Sequence, residues 1–170
     1  MKLSFLSRKL HRWGSILTAA PVLLVLITGI LLHFKKESAW LQPPTQKGKG
    51  NQLQVSFDTM LAKLQEIPQA EVKSWEDVER LDVRPDKGII KIKCQNSWEI
   101  QLHGTTGEVL QVAYRRSDFV EQLHDGTFFS ESVRWYIFVP TGLILIGLWF
   151  TGIHLFVLPH WVKWRRKKST

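Results

Sequence analysis

The chain has 170 residues, 23 Lys and Arg against 15 Asp and Glu, a formal net charge of +8 and a sequence pI near 9.8. All fifteen acids fall between Lys35 and Arg134. Residues 1–15 carry Lys2, Arg8, Lys9 and Arg12 and residues 159–170 carry five cations, so the middle sums to 14 − 15 = −1 and the excess charge belongs to the ends. A basic folded face of the kind that reads nucleic acid is therefore excluded. The single cysteine, Cys94, excludes an intrachain disulfide, a CxxC redox pair and the covalent haem signature CxxCH. P-loop, GxSxG and HExxH patterns are absent as well, so nothing suggests a hydrolase.

In chain order, the basic tail 1–15 runs into an apolar stretch, residues 16–34, that lacks Asp, Glu, Lys and Arg. Its 19 residues approach the roughly 20 needed to cross a hydrocarbon core as a helix. His33, Phe34, Lys35 and Lys36 follow it and offer no small-residue cleavage site, so it reads as an uncleaved anchor. A second apolar run, 135–158, precedes the basic tail 159–170. Trp13 and Trp40 flank the first run; Trp135, Tyr136, Trp161 and Trp164 flank the second, where amphipathic rings suit the headgroup region. Lys and Arg beside a span stay on the cytoplasmic side. The expected topology is a two-span hairpin with both ends inside and the intervening segment outside.

That outer segment starts with a linker, 35–51, holding Pro43-Pro44 and Gly48-Lys49-Gly50. Phe57, Met60, Leu61 and Leu64 then recur at helical spacing up to Pro68. The period next switches to two. Leu81 and Val83, then Ile90, Ile92 and Cys94, then Trp98, Ile100 and Leu102, then Val109–Val112 are separated by turns at Pro85–Gly88, Gln95-Asn96 and Gly104–Gly107. This predicts an antiparallel meander with one buried face, covered by the helix, as a small domain over 52–114. Cys94 is in phase with Ile90 and Ile92 and reads as a buried small hydrophobe. Residues 115–134 connect this domain to the second span.

The hairpin Trp98–Leu110, with its Thr-Gly turn, resembles the PepSY domain. The spans resemble the PepSY-associated transmembrane family through Leu10-His11-Arg12-Trp13-Gly14, Thr28-Gly29, Leu123-His124-Asp125-Gly126 and Thr151-Gly152. The resemblance implies an α+β protein of the bacterial inner membrane: a transmembrane helical hairpin carrying a periplasmic helix-plus-meander domain. It also implies a link, in some larger relatives, to iron or siderophore reduction with b-type haem. His103 departs from the pattern, standing where an acidic residue is common.

Histidines are the remaining chemistry. A b-type haem needs two neutral imidazoles facing each other in a helical bundle. His11, His33, His124 and His154 lie in or beside the spans, and depth would pair His11 with His154 at the inner surface and His33 with His124 at the outer one, as haem-iron ligands. The alternative for each is structural: solvated or snorkelling for His11, His33 and His124, bonded to the opposite helix for His154. His103 and His160 read as solvated surface. Gly29 on the first span, and Gly147, Thr151 and His154 on the second, suggest small-residue seams between helices, and Pro140 a kink. Two helices enclose a cofactor poorly, so haem would call for a homodimeric bundle. The leading expectation is a non-catalytic, membrane-anchored module that binds a periplasmic protein or peptide; the alternative is a b-haem transmembrane electron-transfer unit serving ferric or siderophore reduction.

Overall fold

The computed structural model describes residues 2–48 and 53–168. The last residues of the expected linker, Lys49 to Asn51, and Gln52 at the start of the expected domain lie outside the described residues, as do the side chains of Lys2, Arg165, Arg166 and Lys167 in the basic tails. Two compact units are present, one of residues 31–120 and one of residues 1–30 with 121–170.

In the unit of residues 31–120, helix α2 (Phe57–Gln65) starts where Ser56 Oγ accepts the Thr59 amide at 3.1 Å, satisfying a donor that the first helical turn cannot. It stops before Ile67-Pro68, because a residue preceding proline is pushed to extended backbone, here φ −100° and ψ 105°. Four strands follow, β1 (Val78–Arg84), β2 (Ile89–Cys94), β3 (Trp98–His103) and β4 (Val109–Tyr114), and pair antiparallel in chain order. Leu81 faces Ile92, Ile92 faces Ile100 and Ile100 faces Val112 across the sheet. The period-two apolar residues thus share one face. Met60 and Leu64 of α2 close it together with Ala70 and Val72, and Cys94 is fully buried in that core. The expected helix-covered meander is what forms.

The other face of the sheet is also covered, and it is charged. Lys91, Glu99 and Gln101 are 5%, 2% and 0% exposed. The segment before α2 crosses this face: the Gln46 amide donates to Gln101 Oε1 at 2.8 Å and Gln101 Nε2 donates to the Pro44 carbonyl at 3.0 Å. Ser117, at the start of α3 (Arg116–Asp125), donates its amide to the Leu41 carbonyl at 2.8 Å. Buried charges persist only when paired. Glu99 receives Lys91 at 3.0 Å and Arg115, and Asp118 receives Arg115 at 3.1 Å and Lys93 at 3.0 Å. Burial alone would lower the Arg115 pKa, yet the bond to Glu99 and the charge of Asp118 outweigh it and hold the guanidinium above its ordinary value.

The other unit is built on α1 (Lys2–His33) and α5 (Val139–Lys168), the latter preceded by the short turn α4 (Glu131–Val133). Both helical stretches are long and apolar enough to cross a membrane. The helices extend beyond the apolar runs into the basic tails, α5 continuing through Pro159. Between α4 and α5, Arg134–Phe138 forms a π-helical turn in which the Val139 amide reaches back to the Arg134 carbonyl. Pro140 explains it: proline lacks an N–H and its ring crowds the carbonyl four residues earlier, so the chain widens by one residue. The expected distortion at Pro140 is therefore a π-turn. On α1 a line of covered positions, Ser7, His11, Gly14, Thr18, Pro21, Val25 and Thr28, runs in a 4–3 alternation with Val22, Leu24 and Gly29 half-covered beside it, whereas Phe5, Trp13, Leu17, Leu23 and Leu26 are exposed. Polar and small residues face inward and bulky apolar ones outward, as expected where the solvent is lipid.

Candidate functional site

Two histidines are docked on the two Thr-Gly pairs. His11 Nδ1, on α1, lies 2.9 Å from Thr151 Oγ1 on α5. His124 Nδ1, near the end of α3, lies 3.0 Å from Thr28 Oγ1 on α1. The glycine beside each threonine gives the ring its room: a Cβ on Gly152 would sit 3.4 Å from His11 Cε1, and one on Gly29 would sit 3.4 Å from His124 Cε1. The same arrangement therefore closes both ends of the hairpin.

The hydroxyl protons decide the tautomers. Thr28 Oγ1 donates to the Leu24 carbonyl at 2.7 Å and Thr151 Oγ1 donates to the Leu148 carbonyl at 3.1 Å. A hydroxyl has one proton, so each threonine oxygen accepts from its imidazole, and Nδ1 carries the hydrogen. In the neutral ring this places the lone pair of His11 and of His124 on Nε2, the atom at which histidine accepts a proton or binds a metal.

The turn after His124 is set by Gly126, at φ +84°. It ends α3 in the left-handed region, and a Cβ there would meet Phe138 Cδ2 at 2.5 Å, so only glycine fits. Asp125 Oδ1 then accepts the Thr127 amide at 2.9 Å and the Thr127 hydroxyl at 2.6 Å, fixing the reversal toward α5. The Leu123–Gly126 run is a histidine dock followed by its turn.

The other candidates are placed differently. His154 is half-buried on α5, one turn beyond Thr151, with Nε2 buried and no hydrogen-bond partner. His33 closes α1, is exposed and stacks edge-on against Phe34 at 5.3 Å; it belongs to the unit of residues 31–120. The structure thus brings His11 to the level of Thr151 and His154 on α5, and His124 to Thr28, which is 28 − 11 = 17 residues from His11 along α1, about 26 Å. His160 is exposed, with Nδ1 2.9 Å from the Phe156 carbonyl. His103 is not simply solvated: it is half-buried, and its Nδ1 accepts the Thr105 and Thr106 amides at 3.2 and 3.3 Å, shaping the β3–β4 turn. Gly147 is not part of the α1–α5 seam either. Nothing lies within 4 Å of a Cβ built there, because the contact line runs through Ile144, Leu148 and Thr151 instead.

These short motifs have one source. Residues 8–170 match the model of the family described as the PepSY-associated TM region. The chain belongs to that family. No curated protein and no solved structure gives a significant match. Membership makes this a membrane-associated PepSY protein, and the helices that suit the bilayer are α1 and the 131–164 stretch containing α5.

Sequence reasoning quoted Thr28 and Thr151 as family positions without seeing what they hold. The signal was present: each Leu-His precedes a span, and each Thr-Gly lies near the far end of the antiparallel one. The buried charges Lys91, Glu99 and Arg115 were missed entirely.

Proposed function

We propose that the chain is a membrane-anchored binding or accessory module of the bacterial inner membrane, with both termini cytoplasmic and its PepSY domain, 52–114 with the segments packed on it, in the periplasm. There it engages a periplasmic protein or ligand, and the spans hold it in place. The observation that carries this reading is the completeness of the 31–120 unit. It has its own apolar core on one sheet face and, on the other, a polar face with a cavity among its charges. The charge pattern of the tails supports the topology. Reporter fusions at residues 1 and 170 should report cytoplasm and insertions near Lys47 periplasm; a periplasmic C-terminus overturns it.

The Nδ1–H tautomers favour a second reading, b-type haem. His11, His124 and His154 are the residues that would hold it, His11 and His154 at one level and His124 at the other. Bound haem supplies one-electron transfer, here toward a ferric or siderophore acceptor. The protein's part is to fix the tautomer through Thr28 and Thr151 and so keep Nε2 basic. A single hairpin leaves such a site open to lipid, so this reading also requires a homodimer through the helices. A pyridine haemochrome assay on detergent-purified protein from haem-supplemented cells tests it. Red protein whose spectrum changes in His154→Ala supports it, and colourless protein ends it.

A further inference from the structure

The polar face of the sheet holds more positive charge than its own acids neutralise. A bulge in β1 between Val78 and Arg80 breaks the alternation, and Arg80, Asp82 and Arg84 lie opposite Lys93, Lys91 and Ile89 of β2. Arg80 directly across from Lys93 is a like-charge pair, an arrangement that opposes sheet formation unless something offsets it. Every acid on this face is engaged. Glu79 takes Lys93 at 2.8 Å, Asp82 takes Arg84 at 2.6 Å, and Glu99 and Asp118 bind Lys91, Lys93 and Arg115 as described. Five cations against four acids leave 5 − 4 = +1, and the cation left over is Arg80, exposed and with no ion pair or hydrogen bond recorded among the described residues.

A cavity of about 90 Å³ lies among these groups, with Arg80, Arg84, Lys91, Lys93 and Arg115 on its wall. Since liquid water takes roughly 30 Å³ per molecule, it has room for about three waters or one small oxyanion. A neighbouring pocket shares Gln42 and Arg84 and adds Lys36 and Lys87, with no acid. Gln42 supplies the second requirement. Its Oε1 is buried with no hydrogen-bond partner, a condition that costs about 1–3 kcal/mol. An amide oxygen only accepts, so its missing partner is a donor.

We infer that this cavity is a binding site for an oxyanion that still carries a proton, with hydrogen phosphate as one that its volume admits, held by the Arg80 and Arg84 guanidinium groups and donating its hydroxyl to Gln42 Oε1. Guanidinium groups suit the task because their paired N–H donors match two oxygens of one anion. The inference deepens the binding-module reading by giving its ligand class; binding to purified protein does not depend on topology, so reporter fusions and titration fail independently.

Sulfate decides the case, since it has the shape and charge of phosphate but no proton to donate near pH 7. Full-length protein in neutral detergent, titrated calorimetrically at constant ionic strength in chloride, should bind inorganic phosphate saturably and sulfate at least tenfold more weakly. Arg80→Ala should weaken phosphate binding tenfold or more without lowering the ligand-free melting temperature, since it removes the repulsion with Lys93. Gln42→Leu should erase the preference over sulfate, and Lys73→Ala, remote from the cavity lining, should change nothing. Phosphatidate added to the micelle tests a lipid headgroup as the source; binding only in its presence overturns the free-anion assignment. Absence of saturable phosphate binding, equal affinity for sulfate, or an unaffected Arg80→Ala each overturns the inference.

Discussion

Glu99→Ala should open the sheet domain far more than any surface substitution, and Cys94 provides the readout. Glu99 is 2% exposed and carries three contacts: Lys91 Nζ at 3.0 Å, Gln101 Nε2 at 2.8 Å and the Arg115 guanidinium. Its loss leaves Lys91, 5% exposed, without the only ion pair it makes among the described residues, while Arg115 keeps Asp118. Removing one member of a buried pair costs about 3–5 kcal/mol, and the surviving Arg115–Asp118 bond points to the lower end, about 3 kcal/mol. At 1.4 kcal/mol per decade that is more than about a hundredfold in the opening equilibrium. Cys94 is the chain's only cysteine and is fully buried, so its labelling rate by a thiol reagent follows this equilibrium when closing outruns labelling. A rise below tenfold would refute the claim that the Glu99 ion pairs hold the domain closed. Replacing the whole set, Lys91→Met with Glu99→Leu and Arg115→Met, should cost much less, because no charge is then stranded.

Burial first, and the Asp77 charge second, push the Cys94 thiol from 9.0 up to about 11, so thiolate absorbance in the native chain should emerge near pH 11 and not near pH 9. Asp82, bonded to Arg84, titrates below 3.8 when folded; its contribution is present above that value and lost as pH falls through the lower folded pKa. The urea midpoints of wild type and Asp82→Asn should therefore differ at pH 6 and draw together as pH falls below 3.8, and a constant gap would contradict the assignment. A fragment of residues 35–120 should unfold cooperatively and melt more than about 10 °C above a fragment of residues 52–114. The shorter piece lacks Leu41, Arg115, Asp118 and Val120, whose burial and ion pairs are worth about 3 kcal/mol together; equal melting temperatures would mean that the second face needs no cover.

The elements that announced themselves did so through periodicity. Ile90, Ile92 and Cys94 alternate with lysines, and Ile100 and Leu102 with Glu99 and Gln101, so strand, register and core face could be read before any contact was known. The same alternation misled about the second face. A polar residue every second position predicts exposure, and Lys91, Glu99 and Gln101 are instead among the most buried side chains. Nothing local to a strand reveals that a Pro43-Pro44 segment some fifty residues earlier will lie across it. Burial there depends on a long-range match of charges, and period counting sees only one strand at a time.

The spans illustrate the complementary limit. Length, hydropathy and flanking cations mark α1 and α5 because those are properties of each helix facing lipid. The seam between them follows the opposite rule from a soluble core, with Ser7, Thr18, Thr28 and Thr141 each 7% exposed or less. A histidine among such residues is ambiguous in sequence, since a ligand and a locked strut have the same composition. What separates the two is which nitrogen is occupied. In this chain Thr28 and Thr151 give their protons to the backbone and take those of His124 and His11. The bond that closes the hairpin thereby puts the lone pair of each neutral ring on its far nitrogen, so bracing the helices and presenting a lone pair are one arrangement and not rival roles.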